Sequence, residues 1–261
     1  MDLREHADAF VFDAFGVLNV GDTPIPGAAA RLDQLRAAGH AIRILSNAAS
    51  YNREKAVEKF HKLGVTVTPD EIVTSRDATL LALDARLWGC IAAPTDDLSD
   101  IPFDTLRLEA ARNAYDAAEG ILFLSTAAWN EARQEMLVAS LRNRPRPVLI
   151  ANADLAAPRD HGFSLEPGYF GHLLADASIE QIRFFGKPFP EVFQLVEASL
   201  PETARRRIAM CGDTLHTDIL GAAARDWQTV LVEQDGMFAG ADAGQYARQA
   251  DIMPTWRLAR I

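Results

Sequence analysis

The sequence predicts an α/β protein with a doubly wound, Rossmann-like parallel sheet as its core and a large inserted α+β domain. Short apolar runs alternate with amphipathic helical stretches at both ends of the chain, and this rhythm changes in the middle. Polar residues also follow the apolar runs where strands should end. Because 261 residues suit about two units, we predict a core of residues 1–74 plus 179–261 and an insert of 75–178.

The N-terminal part of the chain has the pattern of strands and helices in alternation. Residues 9–12 predict the first strand, 28–38 the first helix and 41–45 the second strand. Asn52 can cap the next helix, and residues 71–74 predict a third strand. This succession is typical of a parallel sheet with right-handed crossovers.

The middle of the chain departs from the regular alternation of strands and helices, and the alternation returns in the C-terminal part. Apolar runs at 89–93, 120–124 and 148–151 predict strands of the insert. The parallel rhythm resumes at 182–185, which we predict to be a core-sheet strand. The remaining core elements are then a helix at 191–200, a strand at 208–211, a helix at 217–225 and a strand at 229–232.

Composition narrows the range of partners. Asp and Glu outnumber Lys and Arg by 36 to 26, and this net charge of -10 argues against a nucleic-acid-binding surface. No apolar run is long enough for a membrane helix, and the acidic N-terminal stretch is unlike a signal peptide. Cys90 and Cys211 form no metal-ligand or disulfide framework. We therefore expect a cytoplasmic protein without a membrane or nucleic-acid partner.

Four polar clusters follow apolar runs of the predicted core. They are Asp13 with Gly16, Ser46 with Asn47, Lys187 with Pro188, and Asp213 with Asp218. Because the carboxyl ends of parallel strands share one edge of a sheet, we expect these clusters to converge there.

The combination suits displacement at phosphorus. A carboxylate such as Asp13 can attack as nucleophile, while a divalent cation and Lys187 offset charge on the phosphoryl oxygens. Magnesium prefers oxygen ligands, which Asp13 and Asp213 can supply. Ser46 and the N–H groups around Asn47 could hold a phosphoryl oxygen. The sequence thus predicts a magnesium-dependent site for a small phosphorylated metabolite.

The same stretches resemble the four motifs of the haloacid dehalogenase superfamily, in their usual order. They read FVFDAFGVL at 10–18, LSN at 45–47, GKP at 186–188 and GDTLHTD at 212–218. The continuations of the third and fourth motifs are similar to the NagD-like, nitrophenyl-phosphatase-like branch. That branch carries a large cap between the second and third motifs, where this chain has its insert.

The resemblance implies a role for each motif residue. Asp13 would be the nucleophile and a magnesium ligand, Asp213 a further ligand, and the backbone carbonyl of Phe15 a third. Ser46, Asn47 and Lys187 would bind phosphate, and Asp218 would support the metal or its waters. Large caps of this branch often take part in dimers, so a homodimer is also implied.

Phe15 departs from the family pattern. Family phosphatases usually carry a second aspartate here, which protonates the leaving oxygen and then activates water. Loss of such a group typically costs about 10² to 10⁴ in rate. A phosphatase therefore needs an acid from substrate, water or cap, with Asp154, His161 and His172 as candidate donors.

Two other readings stay open at this point. Related dehalogenases also carry an aromatic residue at position 15 and need no acid for a halide leaving group. The protein could also bind a phosphorylated ligand without turning it over. The pair Asp213 and Asp218 favours the phosphatase, because dehalogenation requires no metal.

Some charged residues have an ordinary structural interpretation. The helix predicted after Asn52 carries Glu54, Lys55, Glu58, Lys59 and Lys62, and this spacing is typical of a solvated helix face.

Overall fold

A computed structural model describes residues 2–159 and 162–261. Six parallel strands form the core sheet. Its spatial order is Trp256–Leu258, Gln228–Val232, Ile208–Gly212, Ala9–Phe12, Ala41–Ser46 and Ile72–Thr74. The chain builds outwards from Ala9–Phe12 to one side and later from Ile208–Gly212 to the other. The strand order therefore reverses between these two neighbours, which is where ligands bind in open α/β sheets.

The central strands are apolar throughout because helices cover both faces of the sheet. Every residue of Ala9–Phe12 and of Ile208–Gly212 is buried. The α-helices are Ala28–Ala37, Arg53–Lys62, Ser75–Leu80, Arg112–Ala117, Glu131–Asn143, Pro167–Asp176, Pro190–Ala198, Leu220–Ala223 and Ala243–Ala250. A π-helical turn, Leu215–Ile219, leads into Leu220–Ala223.

Local capping agrees with the sequence. Asn52 caps Arg53–Lys62 as predicted, because its side chain accepts a hydrogen bond from the Lys55 N–H at 2.9 Å.

No helix among the described residues combines the length and the apolar character needed to cross a membrane. Cys90 and Cys211 are buried free thiols.

The inserted segment contains a second sheet of five parallel strands. Its order is Ile182–Phe184, Val148–Ile150, Gly120–Phe123, Trp88–Ile91 and Thr105–Arg107. Antiparallel pairing joins Ala156–Arg159 to Gly162–Leu165 in a hairpin beside this sheet. One continuous cluster of buried apolar residues contains Met210 of the core sheet and Leu149 of the second sheet, so the two sheets are packed together.

The prediction that 182–185 forms a core-sheet strand is wrong. Ile182–Phe184 pairs with Val148–Ile150 and is the edge strand of the second sheet. Its residues are half-buried, exposed and half-buried in turn, whereas every residue of the central core-sheet strands Ala9–Phe12 and Ile208–Gly212 is buried. The alternation of Ile182, Arg183 and Phe184 was the sequence signal for an edge position. The domain division at residues 178 and 179 stays a prediction.

Candidate active site

The two carboxylates at the centre of the site come from neighbouring strands. Asp13 directly follows Ala9–Phe12, and Asp213 directly follows Ile208–Gly212. These strands pair in register, with Phe12 opposite Cys211. The Asp13 N–H donates a hydrogen bond to the Cys211 carbonyl at 2.9 Å, which continues the ladder to the sheet edge. Sheet geometry therefore fixes both aspartates at the point where the strand order reverses.

Asp13, Asp213 and Asp218 form a buried acidic cluster. One carboxylate oxygen of each lies within 4.8 Å of the others. Asp213 is fixed by hydrogen bonds from the Met237 N–H at 2.8 Å and the Thr214 hydroxyl at 3.0 Å. Three converging carboxylates repel each other and carry more negative charge than one neighbouring lysine offsets, so this arrangement suits a hard divalent ion.

Glycines make room for the acidic cluster. A Cβ at Gly236 would lie 2.0 Å from Asp213 Oδ2, and one at Gly212 would lie 2.2 Å from the Asp218 carboxyl carbon. Gly16 has φ +78°, and a Cβ there would lie 2.2 Å from Asp213 Oδ2. A side chain at any of these positions would displace a carboxylate of the cluster.

Lys187 holds two of the carboxylates together. Its Nζ lies 2.6 Å from Asp13 Oδ1 and 2.7 Å from Asp218 Oδ1. The lysine side chain is 2% exposed and that of Asp218 is fully buried. Burial disfavours the ammonium, but the carboxylates of Asp13 and Asp218 outweigh it and raise the pKa of Lys187 above its ordinary value. Lys187 is therefore charged and paired on two sides.

The acidic groups carry raised pKa values. Burial raises the pKa of Asp13 well above 3.8; Lys187 opposes this, and Asp218 and Asp213 add to it. Burial, followed by the charge of Asp218, raises the pKa of Asp213 to about 7. Both effects penalise the charged carboxylate and would be relieved by a bound cation.

Asn47 links three parts of the site. Its Oδ1 accepts a hydrogen bond from the Lys187 N–H at 2.6 Å, and its Nδ2 donates to the Lys187 carbonyl at 3.0 Å. The same amide donates to Asp154 Oδ1 at 2.8 Å. Burial raises the pKa of Asp154 to about 6. Gly186, with φ +99°, allows this approach, since a Cβ there would lie 2.5 Å from Asn47 Oδ1.

The predicted site residues occupy neighbouring positions. Ser46 ends strand Ala41–Ser46, and its hydroxyl accepts a hydrogen bond from the Ala48 N–H at 3.2 Å. Lys187 reaches the group from the loop after the edge strand of the second sheet, and not from a core-sheet strand as predicted. The roles assigned to these residues in binding metal and phosphate stay predictions.

A cavity of about 1100 Å³ opens beside these residues. The core part of the chain contributes Asp13, Phe15, Ser46, Asn47 and Asp213, and the insert contributes Asp154 and the hairpin. Of the three candidate proton donors, Asp154 contacts Asn47, and His172 lines the wall with its ring stacked on Phe184 at 4.8 Å. His161 lies outside the described residues.

The Phe15 ring contacts two cationic side chains of the cavity wall. Lys59 Nζ is 4.3 Å from the ring centroid, and the Arg159 guanidinium carbon is 5.2 Å from it. Such contacts contribute about 0.5–1 kcal/mol at exposed sites and more when desolvated. Phe15 therefore offers an aromatic surface with positive charge next to it.

The Lys59 ammonium makes no hydrogen bond or ion pair with any described residue. Burial lowers its pKa to about 8, an effect that the more distant charges of Asp22 and Glu166 oppose and that of Arg159 reinforces. Arg159 is better partnered: its Nε donates to the Ser164 hydroxyl and its Nη2 to Glu166, both at 2.7 Å.

The sequence interpretation missed Lys59. The expectation of a solvated face is right for Glu54, Glu58 and Lys62, which are exposed. It is wrong for Lys59, which is partly buried and lines the cavity. The positions four residues apart, Lys55 and Lys59, both face the cavity. The contact of its ammonium with Phe15, which is distant in the chain, distinguishes Lys59 from the exposed Lys62.

Comparison with known families places the site residues inside matched segments. Residues 10–90 match a family described as haloacid dehalogenase-like hydrolase, and residues 184–256 match one described as HAD-hydrolase-like. The first segment contains Asp13, and the second contains Lys187 and Asp213.

Individual relatives match over nearly the whole chain. Chronophin of Rattus norvegicus is 28% identical over 100% of this chain and 87% of its own length. An acid sugar phosphatase of Staphylococcus haemolyticus is 23% identical over 95% of this chain and 91% of its own. A crystal structure of a possible sugar phosphatase of the HAD superfamily from Cytophaga hutchinsonii has a TM-score of 0.88 at 27% identity, covering 99% of this chain and 95% of that chain. The predicted α/β class with a Rossmann-like core is confirmed.

Proposed function

The chain belongs to the haloacid dehalogenase superfamily, in its NagD-like branch, and we propose that it is a magnesium-dependent phosphatase of a small phosphorylated metabolite. The observation that carries this proposal is the buried cluster of Asp13, Asp213 and Asp218, in which Lys187 bridges Asp13 and Asp218. Relatives named as phosphatases over nearly the whole chain support the enzyme class.

The charges of the cluster fit a divalent cation. When ionised, three carboxylates and one ammonium leave two negative charges in excess. Burial first, and then the charges of neighbouring aspartates, raise the pKa values of Asp13 and Asp213. Asp13, Asp213 and the backbone carbonyl of Phe15 would hold magnesium, with Asp218 supporting it from behind. A bound magnesium ion supplies positive charge to the phosphoryl oxygens.

Asp13 then acts as the nucleophile. Its carboxylate attacks phosphorus in line with the leaving oxygen, and an aspartyl phosphate forms as the P–O bond to that oxygen breaks. Lys187 offsets charge on the phosphoryl group and keeps Asp13 ionised, because its ammonium lies 2.6 Å from the carboxylate. Ser46 and Asn47 would hold the phosphoryl oxygens. Water cleaves the aspartyl phosphate and releases inorganic phosphate.

The leaving oxygen needs a proton that position 15 does not supply. Asp154 lines the cavity from the insert, and its pKa of about 6 is close to neutrality, which suits a proton donor. Its distance from a leaving group depends on the substrate, and water and the substrate itself are further sources. We therefore expect faster turnover of esters with good leaving groups than of simple alkyl phosphates.

We further propose that residues 75–178 act as the cap that selects the substrate and that the protein works in the cytoplasm. The hairpin and Asp154 bring the insert to the cavity, where closure would exclude bulk water. The implied homodimer stays a prediction. The clustered Asp213 and Asp218 argue against a dehalogenase, because halide release requires no cation.

A phosphate-ligand binder with little turnover is the second candidate, and Phe15 is the observation that favours it. A phosphate-release panel with and without magnesium separates the two. We expect magnesium-dependent release from p-nitrophenyl phosphate, which Asp13→Asn lowers by roughly 10⁴-fold or more, as for removal of other enzymatic nucleophiles. Calorimetric phosphate binding without release, in the wild type, would establish the binder and refute the phosphatase.

A further inference from the structure

A second cationic group lies beside the cavity, separate from Lys187, and phosphoryl transfer does not require it. Lys59 comes from helix Arg53–Lys62, and Arg159 comes from the hairpin of the insert. Both charged groups contact the ring of Phe15. The core and the insert thus each contribute one positive charge to the same part of the wall.

Lys59 is free to bind an incoming anion. Its Nζ has neither a hydrogen-bond nor an ion-pair partner among residues 2–159 and 162–261, and its described contacts are the rings of Phe15 and Tyr51. An ammonium withdrawn from water without a partner is unfavourable, so an anion that pairs with it gains more than it would at an exposed lysine.

The local charge balance indicates the size of that anion. Glu166 is already paired with Arg159 and also accepts a hydrogen bond from Ser164 at 2.6 Å. Arg159 and Glu166 balance each other, so the Lys59 ammonium is the remaining charge. Asp22 lines the cavity and acts on Lys59 electrostatically, but it is exposed and makes no ion pair with Lys59, so water and salt screen its charge. A single excess charge matches a carboxylate better than a second phosphate, which carries about two charges.

The position of Phe15 indicates the distance to the reacting phosphate. Phe15 follows Asp13 by two residues, and two residues of chain span at most about 7 Å. Both side chains line the same cavity. A leaving group that extends from the phosphate along Phe15 would bring its anion to the Lys59 ammonium, which lies beside the ring.

We propose that Lys59 and Arg159 form a subsite for a carboxylate on the leaving group, so that the preferred substrates are short phosphorylated hydroxy acids. This rests on the proposed phosphatase function and names the substrate class of the same site. Phe15 forms the floor of the subsite, which gives a role to the residue that replaces the usual aspartate.

The test compares 3-phosphoglycerate with glycerol 3-phosphate. The first carries a carboxylate at the position where the second carries a hydroxymethyl group. We expect the wild type to prefer 3-phosphoglycerate in kcat/KM by roughly 10-fold or more, the size typical of a hydrogen bond to a charged group. Lys59→Met should bring this preference close to one, and Lys59→Arg should keep part of it. Lys62→Met is the matched control, because Lys62 is an exposed lysine of the same helix and should leave the preference unchanged.

Three results would overturn the subsite: no preference in the wild type, an unchanged preference in Lys59→Met, or a stronger preference for fructose 1,6-bisphosphate than for 3-phosphoglycerate. The last would assign the subsite to a second phosphate instead.

A binding measurement separates this proposal from the phosphatase itself. If the wild type releases no phosphate from p-nitrophenyl phosphate with magnesium, the phosphatase proposal fails. Calorimetric binding of the same two ligands to the wild type and to Lys59→Met still tests the subsite. Tighter binding of 3-phosphoglycerate that is lost in Lys59→Met supports it, and equal or absent binding refutes it.

Discussion

Lys187 and Lys59 belong to the same site and are stabilised in opposite ways. Lys187 is 2% exposed and lies within 2.7 Å of two carboxylates, which raise its pKa. Lys59 is partly buried without an ion-pair partner among the described residues, and burial lowers its pKa to about 8. The comparison indicates that the charge of Lys187 is compensated within the protein, whereas the charge of Lys59 is available to a partner from outside.

The largest expected effect comes from removing the paired lysine. In the metal-free protein, Lys187→Met should lower the free energy of unfolding by about 3–5 kcal/mol, because it leaves Asp13 and Asp218 as buried, uncompensated carboxylates. Denaturant unfolding at neutral pH measures this loss. The loss should shrink as the pH falls, since protonation removes the repulsion.

The double variant Lys187→Met with Asp218→Asn is the control for Lys187→Met. It removes one of the two unpaired charges and should recover part of the lost stability. A single variant as stable as the wild type at neutral pH would contradict the paired role of Lys187.

A smaller effect is expected from magnesium. The folded-state pKa of Asp213 is about 7, above its ordinary 3.8, so this group contributes stability below about pH 4 that is lost as the pH rises to about 7. Magnesium requires the ionised carboxylates, so its stabilising effect should grow over the same interval. At 100 times its Kd it would contribute about 2.7 kcal/mol, a rise in melting temperature of roughly 5 °C or more.

Thermal melts with and without magnesium at about pH 5 and about pH 8 check the expected trend. Asp213→Asn should abolish the shift at both pH values, because it removes a ligand. An equal shift in the wild type at the two pH values would show that the ion binds elsewhere.

Restoring the family's acid should have a moderate effect. We expect Phe15→Asp to increase phosphate release from glycerol 3-phosphate by roughly 10-fold, below the usual 10² to 10⁴ for a general acid. The reason for the smaller gain is that Lys59 and Arg159 next to position 15 favour the ionised carboxylate, which cannot donate a proton.

The comparison substrate for Phe15→Asp is p-nitrophenyl phosphate, whose leaving group needs no acid. Its hydrolysis should change little, and an equal gain for both substrates would show that Phe15 acts on something other than proton transfer.

The reaction centre was more accessible to sequence reasoning than its wall. Asp13 and Asp213 follow fully buried runs, and parallel strands that end at one edge bring such residues together without knowledge of side-chain packing. The sequence correctly predicts that Lys187 belongs to the cluster, but it assigns the preceding strand to the wrong sheet. Ile182–Phe184 is an edge strand of the second sheet, as the alternation of its residues indicates.

The wall depends on contacts that no local pattern encodes. Lys59 has the same helical spacing as its solvated neighbours, and its environment is set by Phe15 and by Arg159. The contact between Lys59 and Phe15 joins distant parts of the core, and the contact between Arg159 and Phe15 requires the insert to pack against the core. Local charge spacing therefore gave the right answer for Lys62 and the wrong one for Lys59.

The smallest effect should have the opposite sign to that of Lys187. We expect Lys59→Met to raise the free energy of unfolding by about 1 kcal/mol at neutral pH, because it removes an ammonium that burial disfavours and that no described residue pairs with. The folded-state pKa of about 8 lies below the ordinary 10.5, so the wild type regains stability as the pH rises from about 8 to about 10.5. The stability advantage of Lys59→Met should therefore be full below pH 8 and shrink above it.

Lys62→Met, on the exposed side of the same helix, should stay within about 0.5 kcal/mol of the wild type at every pH. Denaturant unfolding of both variants across this pH range measures the difference, and destabilisation by Lys59→Met would mean that Lys59 is compensated in the folded protein as Lys187 is.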